Sequence, residues 1–74
     1  MEEKIIKGIK YRLDKETLTA EVIQKEGYSG DIVIPETVVS NKVSYKVTAI
    51  GHSTFFYCKS LTSIIIPDSV TSIE

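Results

Sequence analysis

His52 and Cys58 are each the sole residue of their type in this 74-residue chain, and they offer its strongest proton-transfer and nucleophilic chemistry. A histidine can serve as a general base when an acid and a nucleophile stand beside it. His52, however, lies between Gly51 and Ser53, with no triad pattern or nucleophile elbow around it, so a solvated turn position is expected. Cys58 precedes Lys59, and a neighbouring cation can lower a thiol pKa. Its spacing of three from both Phe55 and Leu61 points it inward instead, where a free cysteine packs as a small apolar group. A single cysteine also excludes an internal disulfide and any multi-cysteine zinc site.

Asp31, Glu36 and Asp68 are the carboxylates that could be proposed for calcium, but an oxygen site needs several ligands converging in one short loop. Glu36 and Asp68 each follow a proline, which suits turn residues. Gly27 and Gly30 open no helix after a strand, so they form no phosphate loop. No catalytic residue, cofactor or metal is therefore expected, and an enzyme is the remotest reading.

The elements that carry these residues show an internal repeat. Val47-Thr48-Ala49-Ile50 returns 23 residues later as Val70-Thr71-Ser72-Ile73, a period within the leucine-rich-repeat range. Ile32-Val33-Ile34-Pro35-Glu36-Thr37-Val38 returns 32 residues later as Ile64-Ile65-Ile66-Pro67-Asp68-Ser69-Val70. The offsets differ by nine residues, which places an insertion between Val38 and Val47, with a tight hairpin expected at Asn41-Lys42. Within the complete unit, Val47, Ile50, Phe55, Cys58, Leu61, Ile64, Ile66, Val70 and Ile73 form the inward line. The threefold spacing from Phe55 to Leu61 suits a short helical or 3-10 turn, and Ile64 with Ile66 suits a brief strand. One coil of this kind cannot bury its apolar line alone and must stack on a neighbour.

Ahead of the repeat, Gly8 to Leu13 and Leu18 to Ile23 alternate as the two arms of a hairpin around the turn Asp14-Lys15-Glu16-Thr17. Ile9, Tyr11 and Leu13 face one way and meet Leu18, Ala20 and Val22, while the charged residues turn outward. The turn Glu26 to Asp31 holds Gly27 and Gly30, which allow a positive φ. A mostly β fold follows, with residues 1–46 as a β-hairpin cap plus a degenerate first repeat and residues 47–74 as a full repeat of short strands, which the resemblance below makes a leucine-rich repeat.

These residues resemble the bacterial-surface-protein-A-like leucine-rich repeats. The likeness covers about residues 28 to 74. It rests on Val47-Thr48-Ala49-Ile50-Gly51, on Phe55 with Cys58, and on Leu61-Thr62-Ser63-Ile64-Ile65-Ile66-Pro67-Asp68-Ser69-Val70-Thr71-Ser72-Ile73. Threonine is more usual in such repeats at position 65, and a small residue at position 54, where Thr54 stands here. The resemblance implies a solenoid at the bacterial cell surface or secreted, used in adhesion or in binding an extracellular-matrix or host surface protein. A purely structural spacer is the alternative.

Val33 and Ile65 sit between inward residues and 32 apart, so stacking should bring them side by side as a small exposed apolar stripe. Together with Tyr45, from a residue class enriched at interfaces, they form the candidate partner face. Strand propensity and core packing are the plain alternatives for the valine, isoleucine and tyrosines Tyr28, Tyr45 and Tyr57. Nine Lys plus Arg against ten Asp plus Glu, without a basic arm, make a nucleic-acid partner unexpected. The longest apolar run, Ile64 to Ile66, is far short of the roughly 18 residues of a membrane span. The start Met1-Glu2-Glu3-Lys4 has no signal-peptide pattern. Weak self-association is expected through the segment Val70 to Ile73, if no further coil covers it.

Overall fold

Alternating apolar and polar residues build eight strands, which the computed structural model describes over residues 2–51, 54–55 and 59–73. In chain order they are β1 (Glu2–Ile6), β2 (Ile9–Asp14), β3 (Thr19–Val22), β4 (Gly30–Val33), β5 (Thr37–Ser40), β6 (Val43–Ile50), β7 (Leu61–Ile65) and β8 (Ser72–Ile73). No helix occurs among the described residues. The expected helical or 3-10 turn falls partly on residues 56–58, outside the described set; Thr54 and Phe55 on its near side are in a turn.

The expected hairpin is present as β2 and β3, antiparallel with Tyr11 opposite Val22 and Leu13 opposite Ala20. Ile9, Tyr11, Leu13, Ala20 and Val22 are all buried. Leu18 departs from expectation. It lies before β3 at φ 56° and is exposed, because the Asp14 carboxylate accepts from the Glu16 and Thr17 amides at 2.9 and 3.4 Å and extends the turn by one residue. An additional strand, β1, pairs antiparallel with β2. Lys7 (φ 49°) and Gly8 (φ 84°) make the two-residue reversal between them, both in the left-handed region that such turns demand.

Two parallel ladders stack the coils, and their registers are the sequence echoes. In the first sheet β3, β6 and β8 run parallel, with Ala49 beside Ser72 and Ile50 beside Ile73, the 23-residue echo. In the second, β4 and β7 pair Ile32 with Ile64 and Val33 with Ile65, the 32-residue echo. Stacking therefore begins at β3, and β6 runs unbroken past position 46, so the boundary expected there falls inside one strand. The nine-residue insertion is the hairpin of β5 and β6, closed by Asn41 and Lys42 at φ 51° and 65°. Its lack of an Asn-Gly pair is tolerated at that cost in backbone strain.

Both sheets turn their apolar faces onto one core of Tyr11, Leu13, Val22, Tyr28, Ile34, Tyr45, Val47 and their neighbours. Full burial of one such aliphatic side chain contributes roughly 1.5 to 3 kcal/mol. Thr54 is buried with its single hydroxyl proton shared between the carbonyls of Val22 at 3.0 Å and Gly51 at 2.8 Å, which ties successive coils together. At Gly51 a Cβ would lie 2.8 Å from Glu21 Oε2 and 3.3 Å from the Val22 carbonyl, so a larger residue would have to turn the Glu21 carboxylate aside and crowd that carbonyl.

Candidate functional site

The outer face of the second sheet carries two rungs. Ser63 donates to Asp31 Oδ1 at 2.8 Å in one of them, and Val33 lies beside Ile65 in the other. Alternation along β4 and β7 turns Ile32 and Ile64 toward the core, leaving Val33 at 61% and Ile65 at 60% exposure. Two branched apolar side chains thus stand together in solvent on a rigid ladder. Such a rung has no proton to transfer and no charge to place, so its chemistry is contact chemistry.

Tyr45 does not join them. Its position in β6, two residues before the inward Val47 and opposite the buried Val38, sends its ring into the core at 1% exposure. The period of two from Val47 already carried this signal, so Tyr45 is a core residue and not part of an exposed face. Tyr28 is likewise buried; its hydroxyl donates to the Ile23 carbonyl at 2.9 Å and accepts from the Lys10 amide at 3.1 Å. The ring also tilts against Phe55, with centroids 5.2 Å apart, and the Lys25 ammonium lies 4.9 Å from its centre.

His52, Tyr57 and Cys58 lie outside the described residues. Among the described residues, no group of three His, Cys, Asp or Glu side chains is arranged to hold a metal. Asp31, Glu36 and Asp68 are each exposed, and Asp31 is engaged by Ser63. Gly27 and Gly30 adopt φ 89° and 68°, as the turn requires. No helix of the described residues is long and apolar enough to cross a membrane.

Two surface features were not read from the sequence. On the outer face of the first sheet, Arg12 sits between Glu3 (3.5 Å) and Glu21 (3.2 Å), its direct cross-strand neighbours, and Lys10 lies 3.6 Å from Glu3. Glu3, Arg12 and Glu21 stand nine residues apart, a sign that two hairpin reversals would line them up. The other feature is an apolar groove of about 390 Å³ between the β1–β2 turn and β5, lined by Ile6, Lys7, Ile9, Tyr11, Val33, Pro35, Thr37, Val38 and Val39. It joins segments some thirty residues apart, and no local pattern announces it.

Comparison with solved structures identifies the architecture. A leucine-rich repeat protein from Bacteroides ovatus superposes with a TM-score of 0.84 at 32% identity, over 95% of this chain and 19% of that one. A leucine rich cell surface protein from Faecalibacterium prausnitzii does so with a TM-score of 0.79 at 31% identity, over 99% of this chain and 19% of that one. The chain has a leucine-rich-repeat fold and spans about a fifth of the length of these two proteins. No family profile matches the sequence, and neither does any curated protein.

Proposed function

We propose that the chain is the capped start of a cell-surface leucine-rich-repeat scaffold of the bacterial-surface-protein-A-like kind, which binds protein without catalysis. Residues 1–46 act as the cap and 47–74 as the first full repeat. The observation that carries this reading is the exposed rung of Val33 and Ile65. Repeat scaffolds bind over surfaces assembled from equivalent positions in successive coils, and exposed apolar clusters mark interaction sites when they are contiguous. One of the similar structures is a cell surface protein, which supports a surface or secreted location and an adhesive role toward matrix or host proteins.

The test is a double substitution, Val33→Thr with Ile65→Thr. Both side chains are exposed, so stability should change by no more than about 0.5 kcal/mol per site in urea unfolding. Capture of a matrix or host surface protein identified with the native chain should weaken clearly. Unchanged capture by the folded double variant would remove the rung from the binding face and leave the spacer reading ahead.

A further inference from the structure

We infer that the free edge of β5 and the groove beside it form a second binding site, one that takes an extended acidic segment of a partner protein as an added strand. The inference rests on the protein-binding reading but uses the edge of the other sheet, sharing with the rung only Val33, which also lines the groove.

The backbone comes first. Among the described residues, β5 pairs on one side only, with β6, and ends its sheet. Ser40 opposite Val43 closes the two-residue turn, and the Val47 amide donates to the Glu36 carbonyl at 2.8 Å, so the even-numbered residues bond to β6. By the alternation of an antiparallel pair, the peptide groups of Thr37 and Val39 point to the open edge. Edge strands are ordinarily blunted by charge, proline or a bulge. Thr37-Val38-Val39-Ser40 carries none of these, whereas the opposite terminal strand, β1, carries Glu2, Glu3 and Lys4.

Charge then selects the occupant. Residues 37 to 67 hold Lys42, Lys46 and Lys59 and no Asp or Glu, so that against these lysines the exposed Glu36, directly before β5, is the one acidic residue from 32 to 67. Among the described residues, Lys7 is the one charged side chain lining the groove, whose other walls include Ile6, Val33 and Val39. By contrast, Lys10 and Arg12 on the outer face of β1 and β2, and Lys4 on the other face opposite Tyr11, each have a carboxylate within 4 Å. Lys7, Lys42 and Lys46 form no ion pair among the described residues. A second copy approaching through β5 would bring these like charges together, which disfavours self-pairing. An extended segment with acidic residues on one side and small apolar ones on the other satisfies the edge, the groove and the lysines at once. Strand addition of this kind draws affinity from main-chain bonds and specificity from alternate side chains.

The experiment follows amide shifts of the isotope-labelled chain during titration with a blocked peptide of about eight residues, alternating valine and threonine around two aspartates, enough to span β5 at roughly 3.3 Å per residue. Two twins accompany it, one with lysine for aspartate and one N-methylated at alternate residues. The acidic peptide should shift Thr37, Val39 and the turn from Ile6 to Ile9, and both twins should bind at least about ten-fold more weakly. Lys7→Glu with Lys42→Glu should reverse the preference between the acidic and lysine peptides. Lys7→Gly, which suits the φ of 49° and keeps the turn, should weaken the acidic peptide alone. Equal binding of all three peptides, shifts elsewhere, no binding, or β5 shifts that follow protein concentration without peptide would each overturn the inference. If β5 stays silent while capture still depends on Val33 and Ile65, this site fails and the scaffold reading stands.

Discussion

The two coils contain the same residues at equivalent places and bury them differently. Ile34 is 2% exposed and its counterpart Ile66 is 41% exposed; Ile50 is 3% exposed and its ladder partner Ile73 is 65% exposed. Residue type is constant within each pair, so neither propensity nor hydrophobicity explains the difference. The first coil has the β2–β3 hairpin on one side and the second coil on the other. The second coil rests on the first alone: β7 pairs only with β4, and β8 only with β6, among the described residues. In a stacked fold the residue sets which way a side chain points, and the neighbouring coil sets whether water reaches it.

Paired truncations test that contrast most directly. Ile34→Ala should cost about 2 to 5 kcal/mol, as for a buried aliphatic side chain, and Ile66→Ala less than about 1 kcal/mol. Urea unfolding of both variants measures the gap. Equal losses would mean that Ile66 is covered in solution.

A smaller effect is expected from alkali, which should act on the covered part. Burial, with Tyr28 nearby as a second cause, pushes the Tyr11 phenol up to about 12 from its ordinary 10. The folded state thus holds the phenolic proton more tightly than the unfolded state. The corresponding stability is fully present below pH 10 and is lost as pH rises through about 12, to the extent of roughly 2 to 3 kcal/mol. Urea midpoints between pH 9 and 12 should fall in the native chain and fall less in Tyr11→Phe. Parallel curves would remove Tyr11 from the account.

The smallest change probes the cap. Leu18 holds φ 56° with 48% of its surface exposed, so glycine there relieves left-handed strain with little packing lost. Leu18→Gly should be neutral or up to about 1 kcal/mol more stable, as read by thermal unfolding. A loss above about 1 kcal/mol would show that the leucine packs in solution, making the cap as closely covered as the first coil.

Much of this architecture was legible in the echoes because parallel stacking pairs equivalent residues. Ile50 finds Ile73 and Val33 finds Ile65 at the two repeat offsets. The β2–β3 hairpin was legible from alternation, and the inserted hairpin from the difference between the offsets. β1 was not, because Glu2-Glu3-Lys4-Ile5-Ile6 is too charged to read as a strand until β2 sets Arg12 opposite Glu3 and Lys10 within 3.6 Å of the same carboxylate. The place of Tyr45 is not legible from its residue class, which suits an interface, but from its register with Val47, which sends it inward.

The amino-acid sequence by itself determined the period, the strand faces and therefore the side on which Val33 and Ile65 emerge, since these follow from backbone geometry and local alternation. Only the tertiary structure decided which equivalent isoleucines are dry. It also decided that β5 ends its sheet beside a groove roofed by the β1–β2 turn. Both depend on which distant segment lies alongside, and that is settled by how the sheets close on one core rather than by any single stretch of chain.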